Sequence, residues 1–504
     1  MLNKVIANRL KSNLITRLPA IISPTSERVI VKFISYGDEM RQKSLISEIL
    51  NKTSKEVNQS LIDIINKYAY RHENYLNILN ANYEKVKPLV EGVINDGKTS
   101  YKHIYQIPAN LMYLIGAFFT TEYSIEAAAL FNPSIVPHPV QNNLNDGELR
   151  VIISLRAVGE GHVSSIEFRE AIINEKGDIN IHPFNKFVST PTKLSFMYNK
   201  EEFFEKIQKI FVSNNLENQF NFIREQLKDL PNEFSHDQVA ELISSLLNKN
   251  DLTENQTISL RTVIGYSNSN YILKFDSKIP MAQKVIFPNT ESESRGIEDA
   301  RFVCIDGTYY ASYTAYNGFT ISPQLIETKD FEEFKITTLT GNGAQNKGMA
   351  IFPEKINGKY AMISRNDGEH MFIMFSDDIQ HWENPQMIET PKQMWELIQL
   401  GNCGSPIKTD KGWLLLTHGV GPMREYAIGA MLLDLDDPSK VIASLKNPLL
   451  SPNESEREGY VPNVVYTCGV IKHEDNLIIP YAKSDTSTKF AKVDINDLLE
   501  KMHK

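Results

Sequence analysis

The chain has 504 residues, of which 41% are apolar, 10% aromatic and 23% charged, and this composition excludes a disordered or low-complexity protein. Its length exceeds one ordinary core and predicts two structural units, or one large closed fold with an appendage. The 53 Lys and Arg against 62 Asp and Glu give a net charge of −9. We therefore expect neither a nucleic-acid nor a membrane partner, because both bind through basic surface.

The three cysteines, Cys304, Cys403 and Cys468, lie far apart and form no CxxC pair. A set this sparse excludes a disulfide scaffold and a thiolate zinc site, and it fits a reducing compartment. The first 23 residues intersperse Lys and Arg among apolar residues, whereas a secretory signal needs a continuous apolar stretch. We therefore expect a cytoplasmic protein.

Residues 1–120 are predicted to form an N-terminal helical region. Thr53 and Glu56 have the spacing of a capping box. Apolar residues then recur at helical intervals, at Val57, Leu61 and Ile64. A helical appendage of this kind commonly mediates contacts between subunits, so we predict a homo-oligomer.

From about Phe131 the pattern changes to short β-rich runs. Asp306-Gly307, Asn357-Gly358 and Lys411-Gly412 each lie between two such runs, as in β-hairpins. Many short strands at regular spacing indicate a sandwich, a barrel or a propeller. A helical insertion with its own apolar face is predicted at about residues 199–263.

The most informative segment is RGIEDAR, residues 295–301, directly before a predicted hairpin. It holds the carboxyl groups of Glu298 and Asp299 close to Arg301. A guanidinium keeps a neighbouring carboxylate ionised, whereas apolar walls favour the protonated form that a general acid needs. On spacing alone, an acid–base site and a structural ion pair that closes a turn are both open.

With its surroundings, this segment resembles glycoside hydrolase family 130, the β-mannoside phosphorylases and β-mannosidases. The resemblance covers about residues 122–490 apart from the helical insertion, and it implies a mainly β fold, a five-bladed β-propeller over residues 121–504. The motifs that carry it, in order, are FNPSIVP (131–137), SLRAVGEGHVSS (154–165), GIEDAR (296–301), NKGMAIFPEKINGKYAMISR (346–365), SDDIQHW (376–382), GSPIKTDKGWLLLTHGV (404–420), AMLLDLDDPSKVI (430–442), EGYVPNVVYTCG (458–469) and IPYAKSDTS (479–487).

The resemblance implies roles for individual side chains. Asp299 matches the family's general acid, which protonates the glycosidic oxygen through the 3-hydroxyl of the mannose being cleaved, with inversion at the anomeric carbon. Asn132 and Arg156 match residues that line the sugar pocket, and Asp485 matches an acidic residue that holds mannose hydroxyls. No metal or organic cofactor is implied. We also expect Glu298 and Arg301 at the site.

His162, in GEGHVSS, is a further candidate for the sugar pocket. A histidine in a strand is, however, more often a satisfied structural group than a catalyst.

The attacking group is either phosphate or water. Family phosphorylases hold inorganic phosphate with a basic cluster, and the residues at or near its positions here are Lys347, Arg365, Lys408 and His418. Two departures weaken that cluster, because Ser364 replaces a usual His and Gln345 a common Arg. Each lost cation removes a charge-assisted hydrogen bond of roughly 1.5–3 kcal/mol.

A hydrolase needs a base instead, at roughly 6.5–9.5 Å from the acid in an inverting enzyme. Glu425 is the first candidate for that base and Glu396 the second. The alternative for Glu425 is a solvated loop carboxylate that pairs with Arg424.

The sequence thus favours an inverting glycosidase that acts on β-linked mannosides such as β-1,2-mannooligosaccharides. The alternative is an inverting phosphorylase that releases mannose 1-phosphate. A further alternative is a carbohydrate-binding propeller without catalysis, which would keep Asn132, Arg156 and Asp485.

Overall fold

The computed structural model describes residues 14–97, 107–248 and 251–503. The chain divides into two compact units. The smaller comprises Thr25–Ala127 with Asn185–Ser189, and the larger comprises Met1–Pro24, Ala128–Phe184 and Thr190–Lys504.

The first strand departs from the predicted domain boundary. Strand β1 (Thr16–Ile22) belongs to the larger unit, where it pairs antiparallel with the last strand of the chain, Ser487–Asp494. This pairing joins segments more than 460 residues apart in the sequence, so no local pattern announces it. Buried Glu456 reinforces it by accepting hydrogen bonds from Arg17 on β1 and from Tyr481.

The smaller unit contains a helical core and a two-stranded sheet. Its elements are β2 (Val29–Phe33), α1 (Glu39–Leu50), α2 (Ser54–Tyr68), α3 (Tyr75–Asn95), α4 (Ala109–Phe118) and β3 (Thr120–Ser124). Helix α2 begins with the predicted capping box, in which the Glu56 carboxylate accepts from the Thr53 N–H and Thr53 Oγ1 accepts from the Glu56 N–H. Its apolar residues Val57 and Leu61 are buried.

The larger unit begins with an antiparallel group of strands followed by the helical insertion. The group contains β4 (Ala129–Pro137), β5 (Leu149–Val158), β6 (Ser164–Ile173) and β7 (Ile179–Ile181). After it come β8 (Thr192–Leu194), β9 (Met197–Asn199), α5 (Lys200–Ser213), α6 (Phe220–Gln226), β10 (Glu233–Ser235), α7 (His236–Leu247), α8 (Glu254–Asn268), β11 (Tyr271–Lys274) and β12 (Val285–Ile286). The insertion has its own apolar core, formed by Phe203, Ile207, Phe211, Val239, Ile243 and Leu260.

Four more antiparallel groups complete the larger unit. The second contains β13 (Gly296–Ile305), β14 (Thr308–Tyr316), β15 (Ile321–Thr328) and β16 (Glu333–Thr338), extended by β11 and β8. The third contains β17 (Lys347–Ile351), β18 (Tyr360–Arg365), β19 (Met371–Ser376) and β20 (Gln386–Glu389). The fourth contains β21 (Gln399–Asn402), β22 (Ile407–Thr409), β23 (Gly412–Val420), β24 (Tyr426–Leu433) and β25 (Val441–Ser444). The fifth joins β1 to β26 (Val465–Tyr466), β27 (Ile471–His473), β28 (Asn476–Lys483) and β29 (Ser487–Asp494), and α9 (Ile495–Glu500) follows.

The predicted mainly β fold with helical additions is confirmed. None of the helices in the described ranges is long and apolar enough to cross a membrane.

A close approach of two strands positions the RGIEDAR segment. Gly296, the first residue of β13, forms a single parallel bridge to Ser164 at the start of β6. A Cβ at Gly296 would lie 2.4 Å from Ser164 Oγ, and its φ of 131° is one that side-chain-bearing residues rarely adopt. Glycine therefore brings the first two strand groups together directly before Glu298 and Asp299.

Bulges in the first strands of two groups, β4 and β13, turn polar side chains toward one cavity. The ladder shifts register between Phe131 and Ser134 in β4 and between Glu298 and Arg301 in β13. Within these bulges Asn132 and Asp299 have left-handed φ values of 48° and 56°. A bulge bends its strand and redirects a side chain away from the regular alternation, and both of these side chains face the same cavity.

Candidate active site

A cavity of about 230 Å³ is lined by residues from all five strand groups. Its lining contains eight of the side chains that the sequence singled out, Asn132, Arg156, Glu298, Asp299, Lys347, Arg365, His418 and Asp485. It also contains six that the sequence did not single out, Gln399, Arg424, Tyr426, Val461, Val464 and Tyr466. Asp299 thus faces a cavity rather than bulk solvent.

Asp299 is held in place by the first strand group. Its Oδ1 accepts a hydrogen bond of 2.8 Å from Asn132 Nδ2 and a longer contact of 3.4 Å from Arg156 Nη1. Burial acts to raise the pKa of Asp299, but the charges of Arg156 and Arg301, the hydrogen bond from Asn132 and the charge of Lys347 outweigh it. The pKa therefore lies below its ordinary value of 3.8. Without a ligand the Asp299 carboxyl is ionised at neutral pH.

Glu298 is committed to two ion pairs. Its Oε1 lies 2.7 Å from Arg156 Nη2 and its Oε2 lies 2.6 Å from Lys347 Nζ. Arg156 therefore joins the two consecutive carboxylates, and Lys347 extends the network from the third strand group. The arrangement fixes the side chains around Asp299 and leaves Glu298 as an orienting residue.

Arg301 acts from behind the cavity wall. The residue is 3% exposed, and its Nη2 donates a hydrogen bond to the hydroxyl of Tyr466, which lines the cavity. Its charge lowers the pKa of Asp299 after that of Arg156. The Nη1 of Arg301 is buried and has no hydrogen-bond partner within the described residues.

Asp485 is the second carboxyl group whose ionisation the site controls. It lies in the turn between β28 and β29 with a left-handed φ of 50°. Burial and the charge of Asp299 raise the pKa of Asp485 from 3.8 to about 7, against the charges of Arg156 and Arg424. The two aspartates thus have opposite pKa shifts, a separation that assigns different protonation states to neighbouring groups.

His418 is a neutral acceptor in this cavity. Its Nδ1 lies 3.0 Å from the carbonyl of Asn402, and its Nε2 lies 3.1 Å from Arg365 Nη1 and 2.9 Å from Gln399 Nε2. Since a guanidinium can only donate, Nε2 carries the lone pair and Nδ1 carries the proton. Burial and the charges of Arg365 and Arg301 hold the pKa of His418 well below 6.5. His418 therefore orients Arg365 and adds no positive charge of its own.

Two cations of the lining, Arg365 and Arg424, form no salt bridge within the described part of the chain. The Nε of Arg365 is buried without a hydrogen-bond partner among the described residues. The polar contact of the Arg365 guanidinium is the neutral His418, and the guanidinium of Arg424 lies 5.7 Å from the Tyr426 ring. Guanidinium groups that form no salt bridge at a polar cavity favour the binding of an anion.

Three predicted residues do not line the cavity although the sequence suggested catalytic or phosphate contacts. Lys408 forms an ion pair with Glu354 on an exposed face. Glu425 precedes β24, where its neighbours Arg424 and Tyr426 face the cavity instead. Glu396 is buried and accepts hydrogen bonds of 3.0 Å from the N–H groups of Lys392 and Gln393, so it stabilises a turn.

His162 also lies outside the cavity lining. Its Nδ1 lies 2.6 Å from the hydroxyl of Tyr460, and its backbone has a left-handed φ of 61°. It is exposed.

The missed residues had weak sequence signals. Arg424 lies in a short turn that begins at Pro422, directly before β24. Until the start of β24 is known, the sequence does not show which residues near Tyr426 point into the cavity. Gln399 and Tyr466 occupy strand ends, where single polar residues are common. Within the described residues no group of three or more His, Cys, Asp and Glu side chains is placed to hold a metal ion.

Comparison with known proteins relates the chain to one family of enzymes. The model of glycoside hydrolase family 130, described as beta-1,4-mannooligosaccharide phosphorylase, matches residues 256–504. A 1,2-beta-oligomannan phosphorylase from Thermoanaerobacter sp. (strain X514) is 38% identical over 246 residues, which are 47% of this chain and 79% of that protein. A beta-1,2-mannobiose phosphorylase from Listeria innocua is 34% identical over 226 residues, 43% of this chain and 63% of that protein. The solved structure of beta-1,2-mannobiose phosphorylase from Listeria innocua with beta-1,2-mannobiose has 24% identity and a TM-score of 0.44, covering 74% of this chain and 92% of that chain.

Proposed function

Because the chain belongs to glycoside hydrolase family 130, we propose that it is a phosphorylase that cleaves β-1,2-linked mannooligosaccharides with inorganic phosphate. The names of its relatives support phosphorolysis, which the sequence had ranked below hydrolysis. The substrate would be a small oligosaccharide, and the products would be mannose 1-phosphate and a chain shorter by one unit.

The charge balance of the catalytic cavity carries this proposal. Four cationic side chains, Arg156, Lys347, Arg365 and Arg424, share the lining with three carboxyl groups. One of these, Asp485, has its pKa raised to about 7 by burial and by Asp299, so it is largely protonated in mildly acidic solution. A phosphate dianion beside Arg365 and Arg424 would supply the missing negative charge.

The two departures from the family pattern that favoured hydrolysis, Ser364 and Gln345, matter less in this geometry. Ser364 is fully buried and its hydroxyl bonds to Asn366, while Gln345 is not part of the cavity lining. Arg424, from the fourth strand group, supplies a cation that the sequence motifs did not reveal. This cation offsets the loss of a basic residue at those positions. The two glutamates considered as the hydrolytic base lie outside the lining, so neither is placed to activate a water molecule in the cavity.

The chemical step is the one that the family resemblance implies, with Asp299 as the acid. A phosphate oxygen attacks the anomeric carbon while the bond from that carbon to the glycosidic oxygen breaks, with inversion. The leaving oxygen takes a proton from Asp299 through the sugar's 3-hydroxyl. Asp299 must then be protonated when the ligands are bound. A bound phosphate dianion would raise its pKa, because it offsets the cations that lower it in the free protein.

The fold proposed for this chemistry is a five-bladed β-propeller, with one blade for each strand group and β1 completing the fifth. Support comes from the cavity, which receives side chains from all five groups.

Product analysis tests the proposal. The full chain is incubated with β-1,2-mannobiose in the presence and in the absence of phosphate, and the sugars are separated by chromatography. Mannose 1-phosphate and mannose in equal amounts, formed only with phosphate, support it. Mannose as the sole product under both conditions would establish the hydrolase instead.

A further inference from the structure

A second and larger cavity lies between the helical insertion and the second and third strand groups. Its volume is about 570 Å³, compared with 230 Å³ for the catalytic cavity. Helix α8 contributes Arg261 and Gly265, the turn between β14 and β15 contributes Asn317 and Thr320, and the segment before β17 contributes Gln345.

The polar lining of this cavity is almost entirely neutral. Amides and hydroxyls dominate it, and Arg261 and Glu291 are the charged residues among those that line it. Such groups both donate and accept hydrogen bonds without a net charge, so they match the hydroxyls of a neutral sugar. The catalytic cavity, with its four cations, has the opposite character.

One segment of chain contributes to both cavities, and a side chain of the catalytic cavity reaches a second segment that lines the larger one. Gln345 lines the larger cavity, and Lys347, two residues later, lines the catalytic one. The Lys347 Nζ lies 5.9 Å from the centroid of the Tyr316 ring, and Tyr316 is followed by Asn317 of the larger cavity. Thr314, paired with Glu298, is three residues from Asn317, a distance of roughly 10 Å along a strand.

An exposed aromatic ring stands beside the larger cavity. Phe319 is 95% exposed, in the turn between β14 and β15. Asn317 Oδ1 fixes this turn by accepting from the N–H groups of Phe319, at 2.9 Å, and Thr320, at 2.7 Å. A flat apolar ring held in this way can cover the apolar face of a sugar ring.

We propose that the larger cavity binds the mannose units beyond the cleaved bond, so that the helical insertion gives the enzyme a preference for longer chains. This inference rests on the proposed function. A catalytic cavity of 230 Å³ lies below the range of about 300–1,000 Å³ usual for drug-sized ligands. It therefore suits one terminal sugar with phosphate, and the rest of an oligosaccharide must bind elsewhere.

Gly265 offers a direct way to block the larger cavity. It lies on the exposed face of α8, and a Cβ placed there has no other atom within 4 Å, apart from its own helix backbone. Gly265→Trp would therefore extend into the cavity without displacing the core, and the smaller Gly265→Ala would leave most of it open. Gly92→Trp is the matched control, because Gly92 is also a helical glycine, with only the end of the Lys43 side chain 3.8 Å away, and it belongs to the smaller unit.

The test is calorimetric titration of each full-length variant with β-1,2-mannotetraose and β-1,2-mannobiose in phosphate-free buffer. We expect the unmodified chain and Gly92→Trp to bind the tetraose at least tenfold more tightly than the biose. Gly265→Trp should lose this ratio and Gly265→Ala should keep most of it, while Phe319→Ala should reduce it severalfold. Equal affinities for the two sugars in the unmodified chain, or a ratio unchanged in Gly265→Trp, would overturn the inference.

The outcome can be separated from that of the proposed function. If the sugars are hydrolysed during the titration, phosphorolysis is wrong, and the same ratio is then measured as kcat/KM for the two sugars. A ratio that depends on Gly265 would still support the larger cavity as the binding site, whereas one that does not would overturn it.

Discussion

The Nη1 of Arg365 donates a hydrogen bond to Nε2 of His418 over 3.1 Å. Because the opposite nitrogen of the imidazole donates to the carbonyl of Asn402, the ring is locked in one tautomer and remains neutral. Gly401 makes room for this ring, since a Cβ at that position would lie 2.4 Å from His418 Cε1. The histidine thus holds the guanidinium proposed to bind phosphate without competing for its charge.

We expect His418→Phe to raise the KM for phosphate more than the KM for mannobiose. The change keeps a ring of similar size but removes the acceptor for Arg365, and a hydrogen bond to a charged group contributes about 1.5–3 kcal/mol, or roughly 10–150-fold. The pH dependence should be the same in both proteins, because the pKa of His418 lies well below 6.5. A rate change near pH 6.5 that disappears in the variant would contradict the neutral imidazole.

Replacing Arg424 by Gln should weaken phosphate binding by a similar factor. Arg424 faces the cavity and forms no salt bridge within the described chain, so its removal leaves the dianion with one less donor. Steady-state kinetics at varied phosphate measures the effect. Lys408→Gln provides the contrast, because Lys408 pairs with exposed Glu354 and should leave the phosphate KM within about twofold. A larger effect of Lys408→Gln than of Arg424→Gln would support the phosphate contact that the sequence analysis assigned to Lys408.

Asp299→Asn should lower kcat by a factor of about 10²–10⁴, the usual contribution of a general acid. The amide keeps the shape of the carboxyl and can still contact Asn132 and Arg156, so the far-UV circular dichroism should not change. Rate measurements with β-1,2-mannobiose decide the point. Full activity in a folded variant would show that another group supplies the proton.

Asp485 should make the protein less stable as the pH rises. Burial and the charge of Asp299 place its folded pKa at about 7 compared with 3.8 for an ordinary aspartate, so between these values the folded state holds a proton that the unfolded state has released. The free energy of unfolding therefore falls with pH across this window, by up to on the order of 4 kcal/mol. In urea unfolding, Asp485→Asn should gain stability relative to the unmodified chain between pH 4 and 7, and the difference should be constant above that. A difference that is independent of pH would show that Asp485 is not buried as a neutral acid.

Local patterns were informative about the cavity because its residues lie in compact motifs at strand ends. The segment RGIEDAR pointed to Asp299, which lies in the bulge of β13 and faces the cavity, and Asp306-Gly307 predicted the hairpin of β13 and β14. What the sequence could not show depends on distant pairing or on side-chain direction. The partner of β1 is the last strand of the chain, and the choice between Arg424 and Glu425 depends on where β24 begins. The charge of His418 likewise depends on Arg365, which approaches it from another strand group.

The central claim is that phosphate, held by the guanidinium groups of Arg365 and Arg424, is the attacking group. Phosphorus NMR of the full chain with β-1,2-mannobiose and phosphate tests it most directly. We expect a sugar-phosphate signal to grow as inorganic phosphate declines, at a rate that saturates with phosphate and is greatly reduced in Arg365→Gln. A phosphate signal that stays constant while mannose accumulates would contradict the account.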